Sequence, residues 1–268
     1  MSLHEKYECL KNIIKGFGSL AVAFSGGADS ALLLKAAHNT LGDCAVAVTA
    51  RLDLCPESEF AAAADFCEKE KITHIVCEPD VLKIEGVAQN SPDRCYLCKN
   101  EILAEIKKAV KPYNVKYIAE GSHADDDIAD RPGFRAVLEH KLKSPLREAG
   151  LTKPEIRELS KWLGLATWDK PASPCLATRF EFGEAITKEK LGMAGLAERL
   201  LHGLGFTQIR VRVHGKLARI EIDPGEFPKI TSPGISDKIY REFKKYGFDY
   251  VALDLRGYRS GSMGEALR

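Results

Sequence analysis

The chain has 268 residues, of which 45% are hydrophobic, and a formal net charge of +1 at neutral pH. That length is enough for one large or two small domains with a real core, and the charge gives no global signal for a polyanionic partner, so nucleic acid is not expected. No apolar run approaches the ~20 residues of a membrane span, and the opening Met1-Ser-Leu-His-Glu-Lys6 lacks the apolar region of a signal peptide. A cytoplasmic protein with no membrane association is expected. In that setting the eight cysteines do not suggest a disulfide framework. Cys9, Cys44, Cys55, Cys67 and Cys77 read as small buried apolar residues. Cys95, Cys98 and Cys175 are different.

In chain order, the apolar periodicity predicts a helix over His4–Lys15, a strand over Leu20–Phe24, a helix over Ser30–Asn39 and a strand over Cys44–Thr49. A helix over Ser58–Lys71, a strand over Ile72–Cys77, a helix over Asn100–Val110 and a strand over Val115–Ala119 follow. Strands alternating with helices imply right-handed βαβ units and a parallel sheet, with ligands at the carboxyl ends of the strands. Thr152-Lys-Pro-Glu155 is a capping box that opens a helix through Lys161, and Gly164 ends it. Residues 166–183 hold Pro171, Pro174 and Gly183 and little periodicity, so they read as a functional loop. A helix over Thr187–Leu204, strands over Gln208–Val213 and Leu217–Ile222, a helix over Ser236–Tyr246 and a strand over Phe248–Leu255 then make a small α+β domain with an antiparallel hairpin. The expected domains are residues 1–183 and 184–268.

The segment Ser25-Gly-Gly-Ala-Asp-Ser30 sits between the first strand and the second helix. Gly26 and Gly27 remove the Cβ atoms that would keep a phosphate from backbone N–H groups. The helix start adds unpaired N–H donors and the positive dipole end, and Ser25 and Ser30 add hydroxyls. A Walker A loop needs a lysine before its closing Ser or Thr, and none is present. These residues resemble the PP-loop, whose enzymes grip the pyrophosphate of ATP and leave AMP on a substrate oxygen. The resemblance implies ATP lining Gly26, Gly27, Asp29 and Ser30, with adenine near residues 49–51 and Gly121.

After the fourth predicted strand, Gly121 permits close backbone approach, and Asp126 is a candidate to hold Mg²⁺ through water. Arg131-Pro-Gly-Phe-Arg135 reads as a basic loop suited to carboxylate or phosphate. Cys95-Tyr-Leu-Cys98 is spaced to place two sulfurs on one metal, and Cys175 offers a third. In the small domain Arg210 and Arg212 share a strand face, with Glu221 on the partner strand. Arg256-Gly-Tyr-Arg259-Ser-Gly-Ser262 reads as a phosphate nest.

The stretches Ser144-Pro-Leu, Leu151-Thr-Lys-Pro-Glu-Ile-Arg157 and Trp168-Asp-Lys-Pro-Ala-Ser-Pro-Cys-Leu-Ala-Thr-Arg179 resemble the LarE family. So do the PP-loop, Arg131 to Arg135 and the Arg210/Arg212/Glu221 hairpin. The resemblance implies an ATP-dependent sulfur insertase. It would turn the carboxylates of a pyridinium-3,5-dicarboxylate mononucleotide into thiocarboxylates through an acyl-adenylate, for nickel-pincer cofactor synthesis and lactate racemase. It implies catalytic roles for Cys175, Cys95, Cys98 and Asp29, and substrate contacts from Arg179, Arg210, Arg212, Glu221, Arg256 and Arg259. Single-cysteine members give up the sulfur of the residue matching Cys175. The Cys95/Cys98 pair fits instead the members thought to hold a [4Fe–4S] cluster whose open iron binds sulfide. The expected partners are that substrate, a sulfide or other sulfur donor and further copies of the chain. A tRNA thiolase and a non-catalytic ATP sensor with a structural zinc are the other readings.

Overall fold

In the computed structural model, residues 1–127, 132–171 and 173–259 are described. Arg131, Ser260 and Ser262 of the predicted basic loop and nest lie outside them. Along the chain run α1 (Leu3–Phe17), β1 (Leu20–Ala23), α2 (Ala28–Leu41), β2 (Ala45–Ala50), α3 (Glu57–Lys69) and β3 (His74–Cys77). Then come α4 (Glu85–Ala88), α5 (Arg94–Val110), β4 (Tyr117–Ala119), α6 (Pro132–Glu139), α7 (Pro145–Glu148) and α8 (Lys153–Trp162). The last are α9 (Lys188–Gly203), β5 (Ile209–His214), β6 (Leu217–Ile222), α10 (Phe227–Ile230), α11 (Pro233–Lys245) and β7 (Tyr250–Leu253). The chain divides into two compact units, 1–81 with 95–173, and 82–94 with 174–268.

The first unit is a parallel α/β layer of the kind expected for a PP-loop domain. Its sheet has strand order β3-β2-β1-β4, with every neighbouring pair parallel. Strand β1 is central and short, and Leu20, Ala21 and Val22 are fully buried. Helix α2 follows it directly and is apolar on most sides. Leu32, Leu33 and Leu34 are all buried, as suits a helix enclosed by its neighbours. Helix α1 is held at its start by a Ser2/Glu5 capping box and buries Tyr7, Leu10 and Ile14 on one stripe. Because β2 lies on one side of β1 and β4 on the other, the strand order reverses beside β1, where open α/β sheets place their ligands.

The second unit has a three-stranded sheet, order β5-β6-β7, in which β5 and β6 are antiparallel and β6 and β7 parallel. Ile209, Val211, Val213, Ala218, Ile220 and Ile222 alternate along β5 and β6 and are buried. Residues 82–94 belong to this unit. The Ile186 N–H donates to the Ala88 carbonyl at 2.7 Å and the Gly183 N–H to the Asn90 carbonyl at 3.1 Å.

Several expectations are corrected. Cys44 and Cys55 are exposed, because Cys44 closes a turn before β2 begins and Cys55 lies in the loop after it. Helix α5 starts at Arg94 rather than Asn100, so Cys95 and Cys98 stand on its first turns, since no glycine or proline interrupts Arg94 to Asn100. Arg135 lies on α6, pairs with Glu139 at 2.9 Å and covers the Tyr96 ring.

Candidate functional site

In the first unit, β1 delivers the chain into Ser25–Ser30 and α2 leads it away. Gly26 has φ +74°, and a Cβ there would stand 3.3 Å from Ala63 Cβ. Gly27 caps α2 in an extended conformation, with only Ser25 Oγ near its Cβ position, at 3.5 Å. The Ser25 and Ser30 hydroxyls are 3.1 Å apart, and Ser30 Oγ donates to the Gly27 carbonyl at 3.1 Å. From beyond β4, Gly121 comes so close that a Cβ would meet Ser30 N at 3.1 Å and Asp29 Cβ at 3.3 Å. Ser25, Gly26, Gly27, Asp29, Ser30 and Gly121 therefore come together at the reversal of strand order, leaving α2's first N–H groups for an anion.

Two lysines that sequence reasoning passed over join this loop. Lys170 donates to the Gly26 carbonyl at 3.0 Å and pairs with Glu59 at 2.8 Å. Lys153, at the start of α8, pairs with Asp29 at 2.5 Å. Both lie inside the stretches Thr152–Glu155 and Trp168–Pro171. Beside the loop is a pocket, open to solvent, lined by Phe24, Ser25, Thr49, Arg51, Phe60 and Lys99, among others, with a cavity volume of about 180 Å³. Its rim is ordered by Arg51, which pairs with Glu57 at 2.8 Å and Glu78 at 3.3 Å.

Asp126 is buried, accepts from the His123 N–H at 3.1 Å and stands 3.3 Å from His123 Nε2. Its carboxylate is thus engaged in its own loop.

Cys95 and Cys98 stand three residues apart on α5 in the first unit, Cys95 exposed and Cys98 partly so. Cys175 belongs to the second unit. Among the described residues no group of three or more His, Cys, Asp or Glu is gathered to hold a metal ion.

In the second unit Cys175 opens a one-turn 3-10 helix, Leu176–Arg179. Arg179 is 3% exposed, and its Nε and Nη2 each lie 2.8 Å from a Glu198 oxygen. Glu198 also accepts from the Val211 N–H at 3.0 Å, tying α9 to β5. Arg212 directly faces Arg219 across the β5–β6 pair, a placement that like charges resist. The fully buried Glu221 resolves it, pairing with Arg212 at 2.8 Å and Arg219 at 3.2 Å. Arg210 is half-buried over the Tyr258 ring, and burial, followed by the charge of Arg179, lowers its pKa. Asp254 gathers Arg219, Arg259 at 3.2 Å and the Arg256 N–H at 2.8 Å. Burial alone would raise the Asp254 carboxyl, but these donors hold it below its usual value. Arg179 and Arg212 thus meet the cysteine's turn directly, Glu221 links Arg212 to Arg219, and Asp254 links Arg219 to Arg259, while Arg256 is exposed.

No family model matches the chain. Over 262 residues it is 38% identical to an uncharacterised protein of Synechocystis sp., covering 96% of this chain and 97% of that one. It is 33% identical over 267 residues to the pyridinium-3,5-bisthiocarboxylic acid mononucleotide synthase of Lactiplantibacillus plantarum, covering 99% of this chain and 96% of that enzyme. To a glutamine-hydrolysing GMP synthase chain of Thermoplasma volcanium it is 30% identical over 201 residues, covering 69% of this chain and 63% of that one.

Proposed function

Because the chain belongs to the LarE family, that of the pyridinium-3,5-bisthiocarboxylic acid mononucleotide synthases, we propose that it inserts sulfur into the carboxylates of a pyridinium-3,5-dicarboxylate mononucleotide at the expense of ATP. The observation that carries this reading is the PP-loop at the strand-order reversal, with Gly121, Lys153 and Lys170 drawn onto it. A carboxylate is a poor electrophile. Its oxygen attacks the α-phosphorus of ATP, pyrophosphate leaves, and the acyl-adenylate carries AMP as a leaving group. A sulfur nucleophile then attacks the carbonyl carbon, and AMP departs with the original carboxylate oxygen.

In this reading Ser25, Gly26, Gly27 and Ser30 hold the leaving pyrophosphate with backbone and hydroxyl donors. The pocket lined by Thr49, Ala50 and Arg51 receives the adenosine. Asp126, with Asp29, is a hard oxygen donor suited to Mg²⁺, which when bound would screen the triphosphate. Arg210, Arg256 and Arg259 are proposed to meet the substrate's phosphate and carboxylates.

For sulfur supply, Cys95, Cys98 and Cys175 fit a [4Fe–4S] cluster in donor type, as thiols with a CxxC pair on one helix face. Such a cluster, when bound, would supply sulfide at an open iron. The alternative within the family is a Cys175 thiolate that gives up its own sulfur. Arg94, the residue before Cys95, donates to the carbonyl of Ala177, two residues past Cys175, at 3.3 Å. We place the enzyme in the cytoplasm, where its thiols stay reduced, and expect it to work as a homo-oligomer.

The test is pyrophosphate release with Mg²⁺ and ATP. Release that depends on the pyridinium mononucleotide supports the reading. Release that depends on tRNA instead favours a tRNA-modifying enzyme, and none with either favours a nucleotide sensor.

A further inference from the structure

We infer that Arg94, Arg179 and Arg212 are positioning residues for Cys175: three buried guanidiniums that grip the carbonyls of its turn and fix where its thiol stands. The inference rests on the reading of Cys175 as a sulfur-handling residue. Arg179 Nη1 donates to the carbonyls of Pro174 at 3.2 Å and Cys175 at 3.4 Å, and to Thr178 Oγ1 at 2.7 Å. Arg94 donates to the Ala177 carbonyl at 3.3 Å and Arg212 to the Thr178 carbonyl at 2.9 Å. Thr178 Oγ1 closes the turn by donating to the Cys175 carbonyl at 2.8 Å. Four of the five carbonyls from Pro174 to Thr178 thus meet a guanidinium.

Each arginine is also held by a buried acceptor: Arg179 by Glu198 and Arg212 by Glu221 on the opposite edge of the guanidinium, and Arg94 by Asn90 at the same Nη1 that meets Ala177. The three arginines are 6%, 3% and 5% exposed. Burying a guanidinium is costly unless it is paired and hydrogen-bonded; all three are hydrogen-bonded, and Arg179 and Arg212 are paired with a carboxylate. Three buried cations converge on one short turn whose Leu176 and Ala177 are themselves buried, so the carbonyls that carry Cys175 are fixed from three directions. The residue at the head of the turn is thereby held still. At 3% exposure, with bonds from three nitrogens into the protein, Arg179 presents little surface to a substrate, so its expected role as a substrate ligand gives way to that of a clamp.

The test uses the full-length protein without substrates. Iodoacetamide labelling is followed across pH by peptide mass spectrometry, reading the Cys175 peptide against that of exposed Cys44. Arg179→Lys keeps the charge and loses the planar fork. Thr178→Val removes the hydroxyl between Arg179 and the Cys175 carbonyl, and serves if the lysine variant does not fold. The expected result is a changed rate and pH midpoint for Cys175 labelling with Cys44 unchanged. Thiocarboxylate formation should lose kcat roughly ten- to hundredfold, as for a displaced reacting group, with KM for the mononucleotide held. A merely structural residue would lower the melting temperature and leave the labelling ratio as it was. Unchanged Cys175 labelling in the folded variants, or a raised KM with kcat intact, overturns the assignment. Failure of the wild type to make thiocarboxylate would sink the sulfur reading, while the substrate-free labelling still judges the clamp.

Discussion

The ammonium of Lys170 lies 3.0 Å from the carbonyl oxygen of Gly26 and 2.8 Å from Glu59, so a residue far along the chain holds the phosphate loop against α3. Lys170→Met removes that donor and leaves Glu59 without this partner. Losing one charge-assisted bond costs about 1.5–3 kcal/mol of loop stability, so the loop should be less well held for phosphate and ATP affinity should fall. Calorimetric titration with Mg²⁺ and ATP reads this directly, and wild-type affinity in the variant would remove the lysine from the site.

The two loop glycines should separate by effect. Gly26→Ala forces a side chain into a left-handed conformation against Ala63, so about 1–2 kcal/mol of stability and a few degrees of melting temperature should be lost. Gly27→Val occupies an extended position with room around it and should fold normally. Its branched side chain then stands where phosphate must lie, and pyrophosphate release should be abolished. Thermal melts beside pyrophosphate assays check both.

Sequence reasoning reached the alternating elements, the parallel sheet and the hairpin because each is written in local periodicity and turn residues. The strand run over Leu20–Phe24 and the glycines after it carry their own signal. Some boundaries were less legible. Helix α11 starts at Pro233 rather than at the predicted Ser236, because Ser232 and Pro233 form an N-cap and first turn. The roles of Lys153, Lys170 and Arg94 were not legible at all. Each acts through a partner distant in sequence, and a lone lysine or arginine carries no spacing rule that names its partner.

Thiol reactivity should depend on pH in a graded way. Burial pushes the Cys67 thiol up to about 12, and burial, followed by the charge of Glu105, pushes Cys77 up to about 11. A raised thiol pKa favours the protonated folded form. This contribution to stability is present below the unfolded value of about 8.5 and is lost as pH rises through the folded values. At pH 8 Cys44 and Cys55 should alkylate readily, while Cys67 and Cys77 should react only after denaturant. Mass spectrometry of each peptide reads the order, and early labelling of Cys67 would contradict its burial.

Glu221→Gln removes the carboxylate that lets Arg212 and Arg219 face each other. Breaking a buried pair costs about 3–5 kcal/mol, so the melting temperature should fall by roughly ten degrees. Replacing Arg212 by Met in the same background should recover part of that loss, because the opposed charge is then gone. Differential scanning calorimetry of the single and double variants measures the coupling.

The central claim is ATP-driven sulfur insertion, and mass spectrometry of an anaerobic reaction tests it most directly. Protein, Mg²⁺, ATP, sulfide and the pyridinium-3,5-dicarboxylate mononucleotide are combined, and both the mononucleotide and the protein are weighed. The account expects the mononucleotide to exchange oxygen for sulfur with matching AMP and pyrophosphate, and the Cys175 peptide to keep its mass. Loss of one sulfur from Cys175, in a preparation without iron, would keep the reaction and make the cysteine itself the donor. An unchanged mononucleotide, with ATP intact, would contradict the account.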